Sequence, residues 1–217
     1  MPRFARTLLL VLPMILVMQG CSSAGIAIRE KLGTPKRDQL VDRVDETRVA
    51  QESAKEQFAT TLEELKALSD FDGGDLEKSY NTLKEQLDRS NSRADKVRSK
   101  IRNVDRVASA LFREWEAEIT EYSTDSLRRA SQQQLDDTRE RYSDVINAMR
   151  RAETKMNPVL AAFNDQVLFL KHNLNSRAIA SLDSTLIELE TEIAELIAEM
   201  EASIDEANAF IDDMSGS

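Results

Sequence analysis

The placement of glycine and proline constrains the fold of this chain more than any other feature of its sequence. Between Asp75 and Ser215 there is no glycine, and Pro158 is the only proline. These two residue types interrupt helices most strongly, and the stretch that lacks them is rich in the helix formers Ala, Leu, Glu, Arg and Gln. A sheet protein would need turn residues at short intervals. The sequence therefore predicts an all-α protein.

The clearest periodic pattern predicts a long second helix, from Asp75 to Tyr122. Its apolar or small residues are spaced by alternating fours and threes, and Ser90 is the only polar member of the set. This is the a/d pattern of a coiled-coil seam, on a helix about 70 Å long. Because one helix cannot bury such a seam alone, partner helices are expected. The seam consists of Leu76, Tyr80, Leu83, Leu87, Ser90, Ala94, Val97, Ile101, Val104, Ala108, Leu111 and Trp115.

Three further segments show similar spacing and predict three more helices. The first follows Thr34-Pro35, interpreted as N-cap and first helical position, and ends at the glycine-containing turn 69–75. Polar Thr47 and Gln51 weaken its apolar stripe. The third helix follows the capping residues 123–126, and the last has its seam from 182 to 211. Predicted lengths of about 36, 48, 48 and 36 residues favour an elongated antiparallel coiled-coil-like bundle of four helices, in up-down-up-down order.

Two segments leave the path of the chain open. Asn157-Pro158 lies inside the third seam, whose spacing continues across it. A proline kink is therefore expected there, with Asn157 as the N-cap of a new helix as the alternative. At 173–176 the spacing slips, which predicts a reversal of the chain. The alternative is a three-helix bundle whose very long C-terminal helix continues through residue 175.

The N-terminus has the pattern of an export signal. Arg3 and Arg6 precede an apolar run, and the small residue Gly20 is followed by Cys21, the only cysteine. The segment resembles the lipobox of bacterial lipoproteins, which implies cleavage between Gly20 and Cys21, lipidation of Cys21 and anchoring in a membrane. Position 22 is Ser and not Asp, which by the same resemblance implies anchoring in the outer membrane. The alternative is an ordinary signal peptide that leaves an unpaired thiol. We therefore expect a signal peptide over 1–20, a lipidated N-terminus and tether over 21–33, and a bundle over 34–213.

Composition excludes several classes of function. The net charge is −10, and removal of Arg3 and Arg6 with the signal peptide makes it −12. Nucleic-acid binding requires a basic surface, so no nucleic-acid partner is expected. One cysteine and one histidine, His172, cannot supply a thiolate or multi-histidine metal site. Because no phosphate-binding loop or nucleophile–base pattern is present either, no metal, cofactor or catalytic residue is predicted.

One group of charged residues is a candidate interaction site. In the four-helix arrangement an acidic and a basic turn meet at the end far from the lipid, as a charged tip formed by Asp70, Asp72, Asp75, Lys171, His172 and Arg177. The alternative is that these residues only cap helices and complement helix dipoles. The apolar run 159–170 is open to three interpretations, as a broad core face, as a groove for a partner or as a membrane-inserting segment.

The chain also resembles a known bacterial family of uncharacterised proteins, domain of unknown function 2959. The resemblance covers nearly all of the chain after residue 21, and it implies no activity because none is assigned to the family. It is carried by the stretches RDQLVDRV at 37–44, GGDL at 73–76, ALFREWE at 110–116, MNPVLAAF at 156–163 and LKHNLN at 170–175.

These observations predict a non-catalytic lipoprotein of the cell envelope, a structural or adaptor bundle that faces the periplasm. Its expected partners are the membrane, through the lipid, and an unidentified protein, and the composition allows a monomer or a homo-oligomer. Two alternatives stay open at this point. One is a helical protein that inserts residues 158–171 into a membrane, and the other is a small-ligand carrier or an enzyme of unknown type.

Overall fold

The computed structural model describes residues 33, 35–71, 73, 75–175, 178–179 and 182–216. Within them the chain forms four long helices, which together confirm the all-α prediction. They are α1 (Lys36–Ser69), α2 (Leu76–Ile119), α3 (Asp125–His172) and α4 (Asp183–Gly216). The predicted signal peptide (1–20, with Gly20) and the predicted tether from Cys21 to residue 32 lie outside the described residues. In the described part of the chain no helix is both long enough and apolar enough to cross a membrane.

The helices form an antiparallel ring in which α1 packs against α2 and α4, and α3 packs against the same two helices. One end of the bundle holds the start of α1 and the end of α4, and we call it the near end. There Lys36 of α1 pairs with Glu114 of α2, and Arg141 of α3 pairs with Asp213 of α4. The opposite end, with the connections 70–75 and 173–182, is the far end. This arrangement is the up-down-up-down bundle that the helix lengths predicted.

The seam of α2 lies in the core from Tyr80 to Leu111, and its two end residues, Leu76 and Trp115, are half-buried. Eight of its side chains, from Leu83 to Ala108, are at most 3% exposed: Leu83, Leu87, Ser90, Ala94, Val97, Ile101, Val104 and Ala108. Since burying a large apolar side chain contributes about 1.5–3 kcal/mol, this seam is a main source of the bundle's stability.

Helix α3 continues without interruption through Pro158, so the interpretation of Asn157 as the start of a new helix is wrong. Pro158 is exposed, whereas Met156 and Val159 beside it are buried. A missing backbone N–H is best tolerated on the solvent side, where helices bend outward and water reaches the carbonyls. The helix ends at His172, and α4 runs back along it. The three-helix alternative is therefore also wrong.

Two polar pairs are buried between helices. In one, Gln51 Nε2 of α1 donates to Ser203 Oγ of α4 at 3.0 Å, and that hydroxyl donates to Gln51 Oε1 at 3.1 Å. In the other, the hydroxyls of Thr61 on α1 and Ser90 on α2 are 2.8 Å apart. All four side chains are 0% exposed. Gln51, one of the two polar residues that weakened the predicted stripe of α1, is therefore a core residue that joins α1 to α4. Thr47, the other, is also buried, but its hydroxyl donates to the Arg43 carbonyl of its own helix at 2.7 Å.

The helix ends follow local sequence. Asp75 caps α2, because its Oδ1 accepts a hydrogen bond from the Lys78 N–H at 3.0 Å. Before it, Gly73 has φ of 151°, a conformation that favours glycine and allows the reversal. Helix α1 begins at Lys36, so Pro35 is its N-cap position and not its first helical residue as predicted. Thr34, the predicted N-cap, lies outside the described residues.

Negative charge is concentrated in the last helix. Helix α4 contains eleven Asp and Glu residues and no Lys or Arg, whereas α1, α2 and α3 have net charges of −2, +2 and +1. Basic residues of α1 and α3 pair with it on both sides. Lys66 and Lys55 of α1 bind Glu190 and Glu201, and Lys155 and Arg151 of α3 bind Glu195 and Glu199.

Candidate functional site

The near end of the bundle contains a cavity of about 440 Å³ to which all four helices contribute. Apolar side chains and charged side chains both line it. Its described lining consists of Arg37, Leu111, Glu114, Trp115, Glu118, Gln134, Asp137, Thr138, Arg141, Asp213 and Met214. The volume is within the range of small-molecule sites, about 300–1,000 Å³.

Polar contacts fix the helix ends around this cavity. Lys36 Nζ binds Glu114 Oε2 at 2.6 Å, and only 13% of the lysine side chain is exposed. The Arg37 guanidinium donates to the Met214 carbonyl and so ties the start of α1 to the end of α4. Across the opening, Arg141 pairs with Asp213. These contacts position the ends of α1 and α4 against the α2–α3 pair.

One wall of the cavity is built on an aromatic and ionic contact between α2 and α3. Trp115 Nε1 donates to Ser131 Oγ at 2.9 Å. One helical turn earlier, the Phe112 ring meets Tyr142 edge to face, with 5.4 Å between centroids, and the Arg139 guanidinium lies 5.2 Å from the Phe112 centroid. Tryptophan and tyrosine keep a hydrogen-bond partner when they are buried, and here both find one on the neighbouring helix.

The Tyr142 hydroxyl belongs to a small network. It donates to Asp105 Oδ1 at 2.6 Å, and the Arg150 guanidinium contacts both oxygens of the same carboxylate, at 2.9 and 2.7 Å. Burial raises the pKa of Tyr142, and the hydrogen bond to Asp105 and the negative charge of Asp105 raise it further. The phenol is therefore protonated at neutral pH and acts as a hydrogen-bond donor that holds α3 against α2.

The cavity combines charged groups with an apolar surface. Two guanidinium groups and four carboxylates surround an apolar surface formed by Leu111, Trp115 and Met214. Its described lining includes no Cys, His or Ser, and no group of three potential metal ligands occurs anywhere in the described part of the chain. This combination of charged groups and an apolar surface suits an amphipathic molecule.

The predicted charged tip is brought together only in part. Asp70 follows the last residue of α1, Asp75 caps α2, and Lys171 and His172 are exposed in the last turn of α3. All four residues lie at the far end, as predicted. Among the described residues no ion pair joins the two acids to the two bases. Asp72 and Arg177 lie outside the described residues.

The apolar run 159–170 is divided between core and surface. Five of its side chains are at most 8% exposed: Val159, Leu160, Phe163, Val167 and Leu170. Leu168 and Phe169 are 56% and 43% exposed. The broad apolar face thus packs mainly against the other helices.

Sequence reasoning did not find the near-end cavity. It treated Trp115 as a core residue, and the side chain is in fact half-buried in the cavity wall. Sequence reasoning also did not find that several arginines of α3 cross to other helices: Arg139 to Glu116, Arg150 to Asp105, and Arg151 to Glu199. The sequence feature that could have indicated such contacts is the absence of Lys and Arg from α4, which leaves the acids of α4 to pair with neighbouring helices.

Comparisons with curated proteins and with protein-family models indicate what the chain is related to. No curated protein shows significant similarity to the chain. A family model, described as "Protein of unknown function (DUF2959)", matches residues 26–214 and so spans all of α1, α2 and α3 and nearly all of α4. The chain therefore belongs to the DUF2959 family.

Proposed function

We propose that this protein is a non-catalytic lipoprotein of the bacterial envelope, anchored through Cys21 in the outer membrane, whose bundle serves as a structural or adaptor element in the periplasm. The N-terminal pattern Gly20-Cys21 after a basic and apolar segment supports the anchor. The family match supports a shared helical domain and assigns no activity.

The observation that carries the proposal is the position of the two ends of the bundle. The described chain enters at the near end, at Pro35, and the opposite end of α1 lies 34 residues, or about 50 Å, away. The 14 residues from Cys21 to Thr34 can span at most about 50 Å. A lipid at Cys21 would hold the near end within about 50 Å of the membrane, and the far end could then stand up to about 100 Å from it. This geometry suits a spacer or an adaptor.

Packing supports a polar mode of interaction. The large apolar side chains of all four helices are mostly buried, and those that are exposed are scattered along the bundle. The far end instead presents Asp70, Lys171 and His172 to solvent. We propose that a protein partner binds this charged tip. Insertion of residues 158–171 into a membrane would first require the core side chains of α3 to be withdrawn, which costs about 1.5–3 kcal/mol for each large residue.

The anchor is tested with Cys21→Ser, with Ser22→Ala as the matched control. Mass spectrometry of the N-terminal peptide and fractionation of the envelope should show a lipidated protein in the outer membrane for the parent and the control. The Cys21→Ser protein should be unprocessed or soluble. Normal processing and membrane retention of Cys21→Ser would contradict the proposal.

The adaptor role is tested with a photocrosslinking residue placed either at Lys171, on the far end, or at Ser109, exposed on α2 towards the near end. A crosslinked protein should be captured in intact cells from position 171 and not from position 109. Capture from position 109 alone would assign the interaction to the side of the bundle and contradict a partner at the tip.

The near-end cavity favours a second candidate, a carrier of a small amphipathic ligand. Trp115 is the only tryptophan of the chain and lines this cavity. A ligand that enters the cavity should therefore change the Trp115 emission of the purified protein, and Met214→Phe, which adds bulk to the cavity without a second tryptophan, should weaken binding. If envelope lipid extracts leave the emission unchanged, the carrier role is refuted.

A further inference from the structure

We propose that the connection between α2 and α3 touches the surface of the bilayer that holds the lipid anchor. We call residues 120–130 the hairpin tip. The proposal rests on the anchored orientation proposed above and adds a second membrane contact, made by side chains of the bundle itself.

The first argument is that the α2–α3 pair is longer than the other two helices at the near end. Lys36, the first residue of α1, is level with Glu114, and α2 continues to Ile119. On the other side, Asp213 is level with Arg141. Helix α4 ends three residues after Asp213, at Gly216, whereas α3 begins 16 residues before Arg141, at Asp125. The difference of 13 residues places the hairpin tip about 20 Å beyond the end of α4.

The second argument is the exposure of the hairpin tip. Every residue from Thr120 to Ala130 is exposed, in contrast to the alternation of buried and exposed residues along the rest of α2 and α3. Tyr122 is 39% exposed and Leu127 is 55% exposed. Tyrosine is enriched where membrane meets water, and leucine gains free energy by leaving water. These two residues lie at the part of the bundle that an anchored molecule brings nearest to the lipid.

The third argument is charge. The hairpin tip has two acids and two arginines and is therefore neutral, whereas α4 alone carries −11. A neutral surface is not repelled by anionic lipids as the rest of this acidic protein is. Arg128 is held by Asp125 at 3.0 Å and by the Tyr122 carbonyl at 2.8 Å. Arg129 has no ion-pair partner in the described part of the chain, and its guanidinium can reach a lipid phosphate.

The occupant is thus the interfacial region of a phospholipid bilayer. Each feature has a separate role: the lipid supplies most of the membrane affinity, and the hairpin tip limits the angles at which the bundle can stand. A second weak contact acts at a high effective concentration once the first has formed.

The test uses the full lipidated protein reconstituted in vesicles of phosphatidylethanolamine and phosphatidylglycerol. The lipid blocks the only native thiol, Cys21, so that a cysteine introduced by Ser123→Cys can be labelled with an environment-sensitive fluorophore. Glu77→Cys, exposed at the far end, is the matched label position. On vesicles the emission at position 123 should move to shorter wavelength and be quenched by brominated lipid, and neither change should occur at position 77.

Two double variants identify the side chains responsible. Tyr122→Ser with Leu127→Ser should abolish the emission shift at position 123. Leu168→Ser with Phe169→Ser, which removes a similar exposed apolar area near the far end, should leave it intact. Both pairs are on the surface, so circular dichroism should show the parent helicity in each.

The outcomes separate the two proposals. If mass spectrometry finds lipid on Cys21 and the emission at position 123 does not change, this inference fails and the anchored lipoprotein stands. A shift that survives in the Tyr122 and Leu127 variant also overturns the inference. If Cys21 carries no lipid, the proposed function fails, and this inference fails with it.

Discussion

The buried pair of Gln51 and Ser203 allows a quantitative test of how α1 and α4 are held together. The Ser203 hydroxyl is the only hydrogen-bond partner of the Gln51 amide among the described contacts, and both side chains are 0% exposed. Replacing Ser203 with Ala leaves an amide N–H and an amide carbonyl buried without a partner. Each such group costs about 1–3 kcal/mol. We expect a loss of about 3 kcal/mol, or about 6–12 °C in Tm for a domain of this size.

The reverse change should cost less. With Gln51→Leu, the Ser203 hydroxyl can bond to the carbonyl four residues earlier in its own helix, so a loss of about 1 kcal/mol is expected. When Gln51→Leu and Ser203→Ala are combined, no buried polar group is left without a partner. The double variant should therefore unfold within about 1 kcal/mol of the parent. The coupling energy between the two sites is then about 3 kcal/mol.

The parent, the two single variants and the double variant are compared by their free energies of unfolding in urea, followed by far-ultraviolet circular dichroism. All four are made in the Cys21→Ser background so that no detergent is needed. Ser109→Ala, at an exposed position of α2, is the matched control and should change stability by less than about 0.5 kcal/mol. If Ser203→Ala is no worse than this control, or if the double variant shows the sum of the single losses, the pair does not act as a unit and the reasoning is refuted.

Three further predictions concern other parts of the bundle. Ile101→Asp places a carboxylate at a side chain 2% exposed and should cost at least about 3 kcal/mol; an unchanged thermal melt would show that the seam of α2 is not in a core. Pro158→Ala restores a backbone N–H that can reach the Thr154 carbonyl and should raise Tm; a lower Tm would refute this account of α3. Partial burial opposes ionisation of Glu46, but hydrogen bonds from Lys100 and Arg43 outweigh it and hold the pKa below its ordinary value. At neutral pH Glu46→Gln should therefore be less stable than the control Glu56→Gln, whose carboxylate has no ion pair in the described part of the chain. This difference in stability should disappear as the pH falls below about 4.5; a difference that does not change with pH would contradict the role of the Glu46 contacts.

The four helices could be predicted because their seams repeat over many turns. A residue such as Ile101 or Met149 shares its face of the helix with apolar residues three and four positions away, so its burial follows from spacing alone. Turn chemistry was informative where a single residue has one role, as at Gly73 and Asp75. The start of α4 was less predictable. Leu174 and Leu182 lie on either side of the connection and are both apolar, so their spacing does not indicate where the connection ends and α4 begins.

The near-end cavity could not be predicted in the same way. Its lining comes from the ends of four helices, and the relative levels of Arg37, Glu114, Arg141 and Asp213 depend on how far each helix extends past its neighbours. Gln51 shows a second limit. A polar residue within an apolar stripe looks like a defect until the partner is known, and Ser203 lies 152 residues away in the sequence. Periodicity indicates which face is buried, but it does not indicate which residue lies opposite.

The charge of α4 has a consequence for the order in which the molecule is assembled. The first three helices together carry a net charge of +1, and α4, the last of the four helices to be synthesised, brings −11. Until α4 docks, Lys55 and Lys66 of α1 and Arg151 and Lys155 of α3 lack the α4 carboxylates that they bind in the finished bundle. Two copies of α4 repel each other, so a premature contact between the last helices of two chains is disfavoured. The same repulsion means that a homo-oligomer of the finished protein would have to form through faces other than the outer face of α4.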